Sequence, residues 1–177
     1  EETALPTVSM DYAYMSEKKE DVYPMLVIAD RKSGSIASTI IDRKGVSDYA
    51  TSFVIAFCRL LSYKRFMWKS DNEPAILALK TRASAGLWEA EVVPKESPED
   101  DHQANGHAEA AVKKINGQVR VMRFALEKKL GEHLPTGHPL FTWLPRHAAD
   151  IISRYRLGTD GKTAEQRRTG KAWRKPA

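Results

Sequence analysis

The chain has 177 residues, of which 42% are hydrophobic and 29% charged, a balance that excludes disordered and fibrous classes. Its apolar runs, over 25–29 and 53–58, fall far short of the ~18 residues a membrane span needs, and its single cysteine excludes a disulfide framework or a zinc site built on two thiolates. The net charge of +5 divides into −5 over residues 1–110 and +10 over residues 111–177, so an acidic front precedes a basic end. A basic segment of this kind supplies the electrostatic footprint that a phosphate backbone requires. The chain opens on Glu1-Glu2 without an initiator Met or a basic-then-apolar leader, which predicts a piece of something longer, working inside the cell.

Residues 8–15 alternate loosely and are rich in aromatic side chains, which predicts a strand. Residues 16–21 are charged and read as a turn. The run Pro24-Met-Leu-Val-Ile-Ala-Asp30 predicts a fully buried strand, followed by a hairpin turn over 31–35 and a partner strand over 36–41. Ser47 is the expected N-cap of a helix running to about residue 62, with Phe53, Phe57, Leu60 and Leu61 at helical spacing. A short strand follows over 65–70, and Pro74 marks the first turn of the next helix.

Residues 87–94 predict a fifth strand, and the polar, acidic stretch over 95–104 a mobile loop. From Asn105 to about residue 130 the apolar positions Ala108, Ala111, Val112, Ile115, Val119, Met122 and Leu126 predict a long helix, closed by Gly131. A further helix is expected over 141–155, and the last twenty residues are basic and unpatterned. The order of elements predicts an α/β domain over 5–155 with a five-stranded mixed sheet, first an antiparallel meander and then strands joined by helical crossovers. Residues 156–177 would form a basic C-terminal tail.

Three acidic residues stand apart. Asp11 interrupts the first strand, where a carboxylate is a poor β-former. Asp71 follows the fourth strand, at the carboxyl end where open α/β sheets place their sites. Glu109 lies one turn into the long helix, between Ala108 and Ala110. If the first and fourth strands are neighbours, the three carboxylates converge. Such a cluster repels itself unless a cation neutralises it, and hard oxygen donors suit Mg²⁺. Two ions ~4 Å apart can serve the attacking and the leaving oxygen of a phosphoryl transfer.

These segments resemble the catalytic core of retroviral and retrotransposon (copia-like) integrases, within the ribonuclease H-like superfamily. The resemblance rests on Val8-Ser-Met-Asp11-Tyr12, Lys69-Ser-Asp71-Asn72 and Asn105-Gly-His-Ala-Glu109, the last similar to the family's "NGxxE" segment. Thirty-seven residues separate Asp71 from Glu109, close to the family's D,D-35-E spacing. Gly161-Lys-Thr-Ala-Glu165 through Gly170 is similar to the "GKTPxE…G" tail of copia-type elements.

The resemblance implies a ribonuclease H-like fold, a metal-binding catalytic triad of Asp11, Asp71 and Glu109, and two Mg²⁺ or Mn²⁺ ions. It implies DNA as partner, with Asn105, Lys113, Lys114 and Arg120 as DNA-binding residues. It further implies metal-dependent 3′-end processing and strand transfer of element DNA into target DNA. A homodimer or higher oligomer acting in the nucleus also follows from the family. The family's zinc module and C-terminal module would lie outside this fragment.

Two positions depart from the pattern. Glu73 stands where the family usually has Gly, and the loop over 98–103 carries Glu99, Asp100 and Asp101, which oppose phosphate binding. Two rival readings follow, a catalytically inactive retroelement-derived binding domain and a ribonuclease H-type nuclease with Asp48 as a further carboxylate. Gly158-Thr-Asp-Gly-Lys-Thr163 is too short for a phosphate loop and follows a helix rather than a strand. His107 is read as solvent-exposed. Trp68, Trp88, Trp143 and Trp173 are expected to pack, with Trp173 also able to stack on a base.

Overall fold

In the computed structural model, which describes residues 5–15, 23–96, 106–135 and 137–173, three strands come first: β1 (Thr7–Tyr14), β2 (Pro24–Asp30) and β3 (Ile36–Ile40). They are followed by α1 (Asp48–Leu61), β4 (Arg65–Ser70), α2 (Pro74–Ala85), β5 (Glu91–Glu96), α3 (Gly106–Leu130), α4 (Pro139–Tyr155) and α5 (Ala164–Thr169). The turn expected over 16–21, the acidic stretch over 98–103 and Asn105 lie outside the described residues.

The sheet order is β3-β2-β1-β4-β5. β1 and β2 pair antiparallel, as do β2 and β3, whereas β4 runs parallel to both β1 and β5. This is the mixed five-stranded sheet flanked by helices that the sequence predicts. Every residue of β2 is buried, because helices cover both faces of that strand, and this explains its unbroken apolar run.

The two faces carry separate cores. Val8, Met10, Tyr12, Leu26 and Ile28 pack with α1 and α2, together with Phe66 and Trp68. Ala13, Met25, Val27 and Ala29 pack with Ala111, Ile115 and Val119 of α3 and with Phe141, Leu144 and Ala148 of α4. Helix α1 starts where expected: the Ser47 hydroxyl accepts from the Ala50 amide at 3.1 Å. It ends at Ser62, which adopts a left-handed conformation. In α3 the buried positions Ala108, Ala111, Ile115 and Val119 follow the helical period, and Gly131 ends it with φ of +74°.

The open edge of β3 is closed by α4. Ser153 Oγ accepts from the Ile36 amide at 3.0 Å and donates to the Ile36 carbonyl at 3.1 Å, while Ser38 Oγ donates to the Pro145 carbonyl at 2.6 Å. At the β2–β3 turn, the buried Asp30 carboxylate accepts from the Ser33 amide and hydroxyl at 2.8 and 2.6 Å, and from the Tyr63 hydroxyl at 2.8 Å.

Three local expectations need correction. β5 starts at Glu91 rather than 87, because its ladder with β4 begins at Arg65 and Glu91 while residues 87–90 form a turn around the buried Leu87. The last twenty residues hold α5, whose six residues are too few to show a period. Thr163 Oγ1 caps it by accepting from the Gln166 amide at 3.1 Å, and Gly170 ends it at φ of +74°. Arg167 ties it to the β2–β3 turn by donating to the Ser33 carbonyl at 3.0 Å. Of the tryptophans only Trp68 is in the core. Trp88 is 85% exposed and Trp143 half-exposed, the latter stacked on His147. No helix among the described residues is long and apolar enough to cross a membrane.

Candidate active site

Side chains alternate across a strand, so Asp11 shares the face of Ala13 and Val27, its cross-strand partner, rather than that of Met10 and Tyr12. That is the face covered by α3. The parallel pairing aligns Ser9 with Lys69, and two residues further on the same register sets Asp71 at the level of Asp11, just beyond the end of β4. Helix α3 contributes Glu109 from its first turn. Asp11 is half-buried, and Glu109 is exposed.

The charge of each neighbour is felt at Asp11. Burial raises its carboxyl to about 6, and the negative charges of Asp71 and Glu109 push the same way. A hydrogen bond from the Tyr12 amide at 2.7 Å and the positive charge of Lys44 oppose the rise. Among the described residues no three His, Cys, Asp or Glu side chains are gathered closely enough to hold a metal ion. The three carboxylates therefore share one electrostatic field without forming a closed cage. As a donor set they fit a hard divalent cation: all-oxygen, mutually repelling, and without a thiolate.

The same helix carries the cations. Lys113, Lys114 and Arg120 are all exposed on α3, and Lys113 lies one turn after Glu109 on the same side. A cleft of about 550 Å³ opens between α3 and α4, lined by Lys113, Lys114, Gln118, Tyr155 and Arg156. Arg156 was not singled out in the sequence because it stands outside any helical period, at the C-cap of α4. His107 is half-buried rather than exposed, and burial together with Lys114 and Arg31 holds its imidazole below the usual range. Trp173 lies over the Arg154 guanidinium at 4.0 Å and donates to the Tyr155 hydroxyl at 3.1 Å, so its stacking partner is within the chain. Asp48 is exposed in the first turn of α1, at the positive end of the helix dipole.

Sequence reasoning missed Lys44 altogether. Its ammonium lies 2.8 Å from Glu73 Oε2, and 5.2 and 5.4 Å from the ring centres of Tyr12 and Tyr14. Glu73, a departure from the family pattern, thus has a partner, and its amide donates to Asp71 Oδ1 at 3.3 Å. The only sequence signal was that unexplained Glu.

No family model matches the sequence, and no curated protein matches it. Solved structures do. The HTLV-2 integrase catalytic core domain in complex with magnesium, in its trimeric form, superposes with a TM-score of 0.62 at 15% identity, over 93% of this chain and 97% of that one. The BIV integrase catalytic core domain gives a TM-score of 0.59 at 15% identity, over 93% of each chain. A chain of the simian T-cell lymphotropic virus intasome in complex with PP2A regulatory subunit B56 gamma gives 0.64 at 17% identity, over 98% of this chain and 57% of that one. At such identities the likeness is one of fold, and the fold of this chain is the ribonuclease H-like fold of retroviral integrase catalytic cores.

Proposed function

We propose that this chain is the catalytic core of an integrase that cuts and joins DNA with the help of divalent metal. One observation supports the reading: in a fold of integrase-core type, the β1–β4 register sets Asp71 level with Asp11, and Glu109 of α3 is near enough for its charge, like that of Asp71, to act on Asp11. Structural residues would not be selected for mutual repulsion, whereas metal ligands must tolerate it.

In this reading Asp11 and Asp71 would hold divalent metal from the sheet side and Glu109 would hold it from α3. Two Mg²⁺ or Mn²⁺ ions, when bound, supply Lewis acidity at the attacking and leaving oxygens. Lys113, Lys114, Arg120 and Asn105 bind phosphates of the DNA alongside. In the first step water attacks a phosphorus near the 3′ end, the P–O3′ bond breaks, and a 3′-hydroxyl is left. In the second that hydroxyl attacks a phosphorus of target DNA and the target's own O3′ leaves. The chain would work as a homodimer or higher oligomer, since the HTLV-2 core is described in trimeric and dimeric forms. Its target DNA would place it in the nucleus. The tail resemblance, in which Thr163 and Gly170 bound α5, supports a copia-like element as the source.

The test is metal-dependent cleavage and joining of a branched DNA that mimics the strand-transfer product, with Asp71→Asn and Glu109→Gln as controls. Activity with Mg²⁺ or Mn²⁺ that both variants lose is the expected result. No activity together with no metal binding would overturn the reading in favour of an inactive binding domain. Cleavage of an RNA–DNA hybrid instead would favour the ribonuclease H-type nuclease.

A further inference from the structure

The site has a second cationic flank. Lys44 lies in the β3–α1 connection, on the side of the sheet covered by α1 and α2, whereas Lys113 belongs to α3 on the opposite side. The Lys44 ammonium lies 2.8 Å from Glu73 Oε2, and the Glu73 amide donates to Asp71 Oδ1 at 3.3 Å, so it stands beside the proposed metal ligands.

Lys44 is also unusually restrained for a lysine. Glu73 takes one of the three ammonium donors at 2.8 Å, and the rings of Tyr12 and Tyr14 lie within about 5.5 Å, inside cation–π range. The loop is pinned as well, because the Gly45 amide donates to the Tyr12 hydroxyl at 3.1 Å. Glu73 in turn is tied through its amide to Asp71. Both members of the ion pair stay about 30% exposed, and exposed pairs add little to stability. The main consequence of the arrangement is a cation fixed in place at Glu73, next to Asp71.

We propose that Lys44, oriented by Glu73, Tyr12 and Tyr14, is a substrate-positioning residue that binds a backbone phosphate of DNA on the flank opposite Lys113. The inference rests on the integrase-core reading and deepens it. The strand would be gripped on both sides of the carboxylates, by Lys44 from the loop and Lys113 from the helix. Glu73 then has a role here: it holds the cation where a phosphate passes. Because the pair is neutral overall, Lys44 acts at contact rather than by long-range attraction.

The experiment is binding of the branched DNA by the wild-type chain, by Lys44→Met and by Lys44→Arg, read by fluorescence anisotropy over a salt series. Single methylphosphonates are walked along the strand to remove one phosphate charge at a time. Methionine keeps the apolar stem against the tyrosines, and arginine restores the charge. Lys44→Met is expected to bind about fivefold more weakly, an effect of the size measured for partly exposed charge pairs. Its salt slope should fall by about 1, as for loss of one phosphate contact. It should also lose sensitivity to methylphosphonate at one position, which Lys44→Arg regains and Lys113→Ala leaves intact.

An unchanged methylphosphonate profile overturns the inference, even if Lys44→Met lowers the melting temperature, since that pattern marks a purely structural pin. Wild-type protein that cleaves the DNA while the Lys44→Met profile is unchanged overturns the inference alone. Wild-type protein that does not bind branched DNA at all overturns the functional reading and the inference with it. Binding without cleavage overturns the proposed reaction, and the profile still decides on Lys44.

Discussion

The two faces of the sheet are built differently. The α1/α2 face is packed with large side chains: Trp68, Phe66 and Leu87 are fully buried there, and the rings of Phe66 and Trp68 lie 5.8 Å apart. The α3/α4 face is mostly aliphatic, with Ala111, Ala148 and Ala149 buried among Ile115, Val119 and Leu144 and one buried aromatic, Phe141. Ala108 and Ala111 are the buried positions of α3 around Glu109, whose charge acts on Asp11, and the exposed Lys113 and Lys114 follow on the same helix. One face thus carries most of the aromatic packing, and the other brings Glu109 to Asp11.

That contrast is broken if substitutions on the two faces have the same consequences. The largest effect on stability belongs to the aromatic face: Trp68→Ala should cost about 3–5 kcal/mol, the usual range for emptying a buried Trp site. Chemical denaturation checks it, and a cost below about 1 kcal/mol would deny the α1/α2 face its structural role. Asp71→Asn should do the reverse. It should lower metal-dependent cleavage by at least about 100-fold, the loss seen when even the groups supporting a metal's ligands are altered. The metal-free fold should be no less stable, because a repelling charge is gone while Oδ1 can still accept from the Glu73 amide.

A smaller effect comes from Asp11. Its carboxyl is raised to about 6 in the fold, against an ordinary value of 3.8, so between those values the folded state holds a proton that the unfolded chain has released. Without divalent metal, Asp11 should therefore lower stability as the pH rises from about 4 to 6, with no further change above. Denaturation curves of wild type and Asp11→Asn in chelator should diverge over that window. A divalent cation that binds the ionised site should offset the loss at neutral pH. Curves that stay parallel would remove Asp11 from the shared field. The smallest effect is expected at Lys113, where Lys113→Ala should reduce the salt slope of DNA binding by about 1 and leave stability unchanged.

Elements whose signals are local were legible in the sequence. Ser47 caps α1 because a hydroxyl within hydrogen-bond reach of the Ala50 amide is a property of a few adjacent residues. The period of α3 and the unbroken apolar run of β2 record which faces are covered. Short or irregular pieces were not legible. α5 is six residues long, and the turn over 87–90 is held by burial of Leu87, which alternation cannot distinguish from a strand. Trp88 and Trp143 show the limit of composition, since apolar residues do not all go inside.

The sequence by itself determined the order and kind of the elements and the three acidic positions that stand out against them, because propensity, capping and hydrophobic period act over a few residues. Only the tertiary structure decided which charges meet. The β1–β4 register set Asp71 level with Asp11, and the covering of that face by α3 brought Glu109 into their field. The β3–α1 connection carried Lys44 to Glu73, twenty-nine positions away in the chain. Electrostatic energy depends on distance in space, and no local pattern encodes a distance between residues joined only through the sheet.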